Sequence, residues 1–160
     1  MNMDKYTIKA QEAVQEALKR VQRQGQQAIE PEHLLSGVMQ VAEEVTRFIF
    51  QKLGMNPTTV QQAVDAQISS LPKVQGGEPY LSQQSSQVRQ KAEDLAQEGG
   101  DEYVSVEHLL MAIAEVDCTA SKILKDMGLT KDDLKRAVSE LRGGQKVPSQ
   151  SSEDTYQSVS

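Results

Sequence analysis

The stretch Glu32-His33-Leu34-Leu35 occurs twice, because Glu107-His108-Leu109-Leu110 repeats it 75 residues later. The similarity extends beyond these four residues and predicts that a half-domain was duplicated once, since the period is longer than that of ordinary stacked repeats. Upstream of the signature the same offset pairs Ala17 with Ala92, Gly25 with Gly100, and Ile29 with Val104. Downstream the offset is reduced by one and pairs Ile49 with Ile123, Gly54 with Gly128, and Ala63-Val64 with Ala137-Val138.

Apolar residues recur at three- and four-residue steps through both halves, which is the pattern of amphipathic helices. Thr7 precedes the first such segment, and its hydroxyl is placed to accept a hydrogen bond from a free first-turn amide. No segment alternates convincingly with period two, so no sheet is expected. The pattern predicts eight helices: from about Thr7 to Gln24, from Pro31, from about Glu43 to Leu53, from Asn56-Pro57 to about Leu71, from about Ser82 to Gln97, after Ser105, one that holds Cys118 and Met127, and after Thr130.

These helices predict an all-α domain of two tandem four-helix repeats related by a pseudo-twofold axis. The domain spans residues 1–142, with repeat one at 1–72 and repeat two at 80–142. A connector rich in helix-breaking residues lies between the repeats. Residues 143–160 are polar and have almost nothing to bury, so they predict a flexible linker that cannot offset its ordering entropy. Because the chain ends inside this linker, we expect it to be a piece of a longer protein.

The composition argues against several classes of function. The chain of 160 residues has 17 Lys and Arg against 23 Asp and Glu, and its net charge of −6 argues against a nucleic-acid surface and, weakly, against an anionic membrane. No apolar run approaches the roughly 20 residues that cross a bilayer. The N-terminus has no signal pattern. The single cysteine, Cys118, cannot form an internal disulfide, so a cytoplasmic protein is expected.

The sequence contains no arrangement of residues that supports catalysis. A small metal-dependent enzyme built on His33 and His108 would need a second His four residues after each, but Gly37 and Ala112 stand there. Both His residues are therefore expected to lie near helix N-termini and to pack on neighbouring helices. An acidic neighbour disfavours Cys118 as a nucleophile, and there is no Gly-rich phosphate loop. We expect neither a metal site nor enzyme activity in this chain.

The two copies of the Glu-His-Leu-Leu signature, each with a glycine about seven residues upstream, resemble the amino-terminal domain of the Clp (Hsp100) family of ATP-driven protein-remodelling machines. The resemblance covers essentially the whole chain. It implies two four-helix repeats tethered by a mobile linker to a hexameric AAA+ ring, with ATP and Mg²⁺ bound in absent ATPase modules and no cofactor in this chain. Three further motifs resemble the ClpB disaggregase branch: Leu71-Pro72-Lys73-Val74, Arg142-Gly143-Gly144-Gln145-Lys146-Val147, and Glu153-Asp154-Thr155-Tyr156-Gln157.

The resemblance also implies a function for the domain. It would catch unfolded or aggregated polypeptide and pass it to the pore of the ring, and the isolated chain would be a monomer. The polar substrate cluster of the family matches Thr7, Asp101 and Glu107 in all three residue types. Without the resemblance, these residues would be interpreted as a helix cap and two surface acids. The alternative is the ClpA and ClpC arrangement, in which the domain docks a folded adaptor for an ATP-dependent protease.

Overall fold

Eight α-helices account for most of this computed structural model, which describes residues 2–156, so the last four residues of the predicted linker lie outside it. All eight predicted helices are present. Cys118 was expected inside the seventh helix, but it is the residue before that helix. In chain order the elements are α1 (Ile8–Arg23), β1 (Ala28–Ile29), α2 (Pro31–Val41), α3 (Glu43–Lys52), α4 (Pro57–Ser70), β2 (Tyr80–Leu81), α5 (Gln83–Glu98), α6 (Val106–Glu115), α7 (Thr119–Asp126), α8 (Lys131–Arg142) and a short 3₁₀-helix (Ser152–Thr155).

The predicted start and stop residues of the helices behave as expected. The Thr7 hydroxyl accepts a hydrogen bond from the Ala10 amide at 3.1 Å, and the Asn56 side chain accepts from two first-turn amides of α4 at 2.9 and 3.3 Å. These bonds satisfy donors that a helix leaves unpaired at its N-terminus. After α1 and α5 the chain turns at Gly25 and Gly100, whose φ angles of 66° and 73° favour glycine.

The two signature copies lie on α2 and α6, the most buried helices of the domain. Nine of the eleven residues of α2 and eight of the ten of α6 are buried, so these two helices have neighbours on every side. Gly37 of α2 lies so close to α1 that an added Cβ would be 2.2 Å from the Ala13 carbonyl oxygen. Its counterpart in α6 is Ala112, which already carries a Cβ. The α1–α2 contact is therefore the tighter of the two at this position.

Each repeat pairs a short extended segment with the other repeat. β1 pairs in parallel with β2, which sets Ile29 of repeat one beside Leu81 of repeat two. Reciprocally, Tyr6 of repeat one forms a parallel bridge with Val104 of repeat two. The all-α fold with pseudo-twofold repeats is confirmed, but the expectation of no sheet is wrong. One- and two-residue pairings are too short to leave a period-two pattern in the sequence.

The tail (residues 143–156) packs against the domain. Val147 is fully buried, and its carbonyl oxygen accepts hydrogen bonds from two amides of the α5–α6 loop at 3.0 and 3.2 Å. The Gln150 carbonyl accepts another from the Ile8 amide at 2.8 Å. The expectation that this segment has almost nothing to bury is wrong, because backbone hydrogen bonds and one apolar side chain hold it on the domain. That the segment is a flexible linker toward an ATPase module stays a prediction.

Candidate functional site

Thr7, Asp101 and Glu107 are buried, and the tail links them in one hydrogen-bonded network. Thr7 precedes α1, Asp101 lies between α5 and α6, and Glu107 lies in the first turn of α6. Arg142, at the end of α8, joins two of them, because its Nη1 donates to Asp101 Oδ2 and its Nε to Glu107 Oε2, both at 2.8 Å. Glu153 of the tail holds the third, since its Oε2 accepts from the Thr7 hydroxyl. We call Thr7, Asp101, Glu107 and Arg142 the polar cluster.

Asp101 carries a fixed negative charge in this cluster. Its Oδ2 accepts from His108 Nε2 at 2.8 Å as well as from Arg142. His108 Nδ1 accepts from the Ser105 amide at 2.9 Å, which assigns the proton to Nε2. Burial alone would raise the pKa of Asp101, but His108 and the Arg142 guanidinium outweigh burial and lower it to about 2. Asp101 is therefore ionised throughout the physiological range.

The tail donates a hydrogen bond to one oxygen of each acidic residue. Asp101 Oδ1 accepts from the Val147 amide at 3.0 Å, and Glu107 Oε2 accepts from the Tyr156 hydroxyl. Burial and the neighbouring charge of Glu107 raise the pKa of Tyr156, so this phenol stays protonated and remains a donor. The site therefore binds one main-chain amide and one phenol of the tail.

Glu153 attaches the tail to the N-terminus of α6. Its Oε2 accepts from the Val106 amide, the first amide of that helix, at 3.2 Å, and from the Thr7 hydroxyl. Partial positive charge at a helix N-terminus favours a carboxylate there. Burial nonetheless raises the pKa of Glu153, and the nearby charge of Glu107 raises it further. This carboxylate is thus bound by specific donors but poorly solvated.

Sequence reasoning did not assign Arg142, His108, Glu153 or Tyr156 to this site. It placed the arginine and the two tail residues in linker motifs and treated the histidine as a packing residue. One available signal was the offset of 75 residues, since it pairs His108 with His33 and Asp101 with Gln26. No sequence pattern indicated the contacts of Arg142 and the tail with the rest of the site, because these contacts join residues 34 to 146 positions apart.

Repeat one contains a corresponding network around its histidine, and the members of this network are uncharged. His33 Nδ1 accepts from the Glu30 amide at 2.9 Å, and its Nε2 donates to Gln26 Oε1 at 2.7 Å. The Gln26 amide group donates in turn to the Ile68 carbonyl at 2.7 Å. Burial and the charge of Arg20 lower the pKa of His33 to about 4, so the ring is neutral. This network of Gln26, His33 and the Ile68 carbonyl is closed by repeat one itself.

The histidines and the cysteine that were considered for chemistry are packed inside the domain. Both ring nitrogens of His33 and of His108 form hydrogen bonds within the protein, as expected for helix N-terminal packing residues. Across residues 2–156, no group of three or more side chains is arranged to hold a metal ion. Cys118 is 2% exposed, in agreement with a core residue. No helix in the described part of the chain is both long and apolar enough to cross a membrane.

A groove of about 920 Å³ runs beside the tail, next to the polar cluster. Its walls include Phe48 of α3, Leu141 of α8, and Glu153 and Tyr156 of the tail. None of the three residues predicted for the site lines this groove. Because Glu153 and Tyr156 also bind the polar cluster, the tail separates the groove from the cluster.

Comparisons with known proteins agree on one family. The family described as the Clp repeat (R) N-terminal domain matches residues 5–127. Chaperone protein ClpB of Bacteroides thetaiotaomicron is 61% identical over 159 residues, which are 99% of this chain and 18% of that protein. Chaperone protein ClpB of Porphyromonas gingivalis is 50% identical over 159 residues, with the same coverage of 99% and 18%. This chain therefore spans less than a fifth of these relatives.

A solved structure shows the same fold. The crystal structure of the Hsp104 N-terminal domain from Candida albicans matches with a TM-score of 0.83 at 24% identity, over 94% of this chain and 99% of that chain. The family match covers most of the chain, including both signature copies and all three predicted site residues, Thr7, Asp101 and Glu107. The chain belongs to the Clp N-terminal domain family and is similar to the N-terminal region of ClpB chaperones.

Proposed function

We propose that this chain is the substrate-recruiting domain of a cytoplasmic, ClpB-type, ATP-dependent chaperone. It binds unfolded or aggregated polypeptide and passes it to a hexameric AAA+ ring, whose modules outside this chain bind ATP and Mg²⁺. One observation supports this proposal above the others. The polar cluster binds a polypeptide segment, the tail, through each of Thr7, Asp101 and Glu107.

The contacts suit a site that accepts many sequences. Asp101 accepts from a main-chain amide, a group that every unfolded chain exposes and that must be paired when it is buried. The other contacts are made by a carboxylate and a phenol of the bound segment. Such contacts favour segments that carry these side chains but do not require one particular sequence. A few hydrogen bonds, each worth about 1 kcal/mol net, give weak binding. Six copies on one ring would raise the apparent affinity through multivalency.

The first experiment compares matched variants of the two repeats. Glu107→Gln removes the negative charge of the carboxylate that accepts a hydrogen bond from the tyrosine hydroxyl. Glu32→Gln makes the same change at the equivalent buried position of repeat one. Binding of a fluorescent, reduced and carboxymethylated unfolded protein is followed by anisotropy. We expect E107Q to weaken binding about tenfold, since a hydrogen bond to a charged group contributes roughly 1.5–3 kcal/mol. E32Q is expected to bind like the wild type. Thermal unfolding of both variants checks that the fold is intact.

Three results would contradict the proposal. Equal affinities for E107Q, E32Q and the wild type would remove the polar cluster from substrate binding. A tight one-to-one complex with a folded adaptor, together with no binding to the unfolded protein, would favour the ClpA and ClpC arrangement. Nucleotide hydrolysis by the purified chain would contradict the assignment of ATP chemistry to other modules.

A further inference from the structure

The tail takes up the groups with which the polar cluster would bind any other chain. Glu107 Oε2 is bonded to Tyr156, and Asp101 Oδ1 to the amide of Val147. Thr7 and Glu107 are 0% exposed and Asp101 is 8% exposed. A second polypeptide cannot reach these atoms while the tail lies on them.

We infer that the tail is an internal ligand of the polar cluster, and that a polypeptide segment of similar chemistry displaces it. The tail defines that chemistry: a carboxylate received by the Thr7 hydroxyl and the Val106 amide, followed three residues later by a tyrosine received by Glu107. A main-chain amide six residues before the carboxylate meets Asp101. The inference rests on the proposed function only where it names unfolded polypeptide as the competitor.

The docked tail leaves two charged groups incompletely satisfied, which makes docking reversible. Within the described residues, Glu107 Oε1 and Glu153 Oε1 are buried without a hydrogen-bond partner. Burying an unpaired charged oxygen costs free energy, and the proximity of two carboxylates adds repulsion. Release of the tail would hydrate both carboxylates and offset part of the hydrogen bonding that is lost.

The tether between α8 and the docked residues favours the tail over a free competitor. Only eleven positions separate Glu153 from Arg142, the last residue of α8, so the effective concentration of the tail at the cluster is on the order of millimolar. The tail and a second polypeptide compete for the same atoms of the cluster, so each lowers the apparent affinity of the other. A polypeptide that occupies the cluster therefore frees the tail. Release of the tail removes the separation between the adjacent groove and the cluster, so the two form one continuous surface.

The test uses the full 160-residue chain with Glu153→Ala and Tyr156→Ala together. These changes remove tail side chains and leave the polar cluster intact. We expect the Val106 and Val147 amides to exchange with solvent about tenfold faster in the double variant, because they lose a protected environment. Asp154→Ala is the matched control, since that side chain is 65% exposed, and we expect it to exchange like the wild type.

A synthetic peptide of residues 145–156 then serves as the ligand. We expect it to shift the amide signals of Val106 and Asp101 in the double variant, with saturation at millimolar concentration as the effective-concentration argument requires. The wild type is expected to need about fivefold more peptide, because its own tail competes. A peptide with alanine in place of Glu153 is the control and is expected not to bind.

Two results would overturn the inference: amide exchange in the double variant equal to that of the wild type, or a peptide that binds neither protein at several millimolar. Failure of the proposed function would look different. In that case the peptide would bind the double variant, as the inference requires, while the unfolded protein would bind neither form.

Discussion

The two repeats share a scaffold but differ in the network at the N-terminus of the signature helix. In repeat one, Gln26 bridges His33 and the Ile68 carbonyl, so the network is uncharged and complete. In repeat two, Asp101 corresponds to Gln26 at the upstream offset of 75 residues, and Arg142 corresponds to Ile68 at the downstream offset of 74. These two differences replace a closed network by an ionic one that has capacity left for the tail. Under the proposed function, one copy of the duplicated unit serves structure and the other serves binding.

The largest expected effect follows from removing the cation of repeat two. Arg142→Ala leaves Asp101 and Glu107 buried without their guanidinium partner, and breaking a buried pair in this way costs roughly 3–5 kcal/mol. Urea unfolding at pH 7 measures the loss. Arg136→Ala on the same helix is the control, because that side chain is 71% exposed, and it is expected to cost no more than about 0.5 kcal/mol. Equal losses in the two variants would contradict the ionic network.

The two networks are expected to fail in different pH ranges. Because burial lowers the pKa of His33 from 6.5 to about 4, the unfolded chain binds a proton first as pH falls, and stability is lost between about 6.5 and 4. The pKa of Asp101 is lowered from 3.8 to about 2, so its contribution is present above about 3.8 and is lost between 3.8 and 2. Repeat one therefore weakens at higher pH than repeat two.

Urea unfolding of the wild type and of His33→Gln at pH 7.5 and 4.5 isolates the contribution of the histidine. The wild type is expected to lose about 2–3 kcal/mol more than the variant over this interval. The difference between the two proteins matters more than the absolute loss, because burial raises the pKa of Glu32 and acts in the opposite direction. Identical pH profiles would show that His33 is not held neutral by burial.

A glycine-to-alanine exchange tests the packing difference between the repeats. Gly37→Ala would place a Cβ 2.2 Å from the Ala13 carbonyl oxygen, so α1 and α2 must separate, at a cost of roughly 1–3 kcal/mol. The reciprocal change, Ala112→Gly, creates no clash and is expected to cost about 1 kcal/mol through helix propensity and lost packing. Thermal unfolding ranks the two. A neutral G37A variant would contradict the close approach of α1 and α2.

The smallest expected effect on stability separates capping from binding. Thr7→Ala and Ser82→Ala each remove the hydroxyl that caps the first helix of a repeat, at about 1 kcal/mol. Only Thr7 also contacts the tail through Glu153. We therefore expect similar losses of unfolding free energy, but a loss of affinity for unfolded protein in T7A alone. Thr7→Ser is expected to restore both. Equal binding by T7A and S82A would reduce Thr7 to a cap.

Helical periodicity and the internal repeat were sufficient to predict the eight helices and the duplicated fold. The reciprocal strand pairings were missed, because residues such as Tyr6 and Val104 pair singly. The tail was misjudged for a different reason. Composition measures how much apolar surface a segment can bury, whereas the tail is held largely by hydrogen bonds of its main chain, of Glu153 and of Tyr156, with Val147 as its one fully buried apolar side chain. Arg142 was missed because its partners are distant in sequence.

The measurement that tests the difference between the repeats most directly is an NMR titration of the full chain with a reduced and carboxymethylated unfolded protein. We expect amide shifts around Thr7, Asp101, Glu107 and the docked tail, with the signals of Val147 and Tyr156 moving toward those of a free segment. The equivalent amides of repeat one, at Gln26 and His33, are expected to stay unchanged. Shifts centred on repeat one, or shared equally by the two repeats, would contradict the assignment of binding to repeat two.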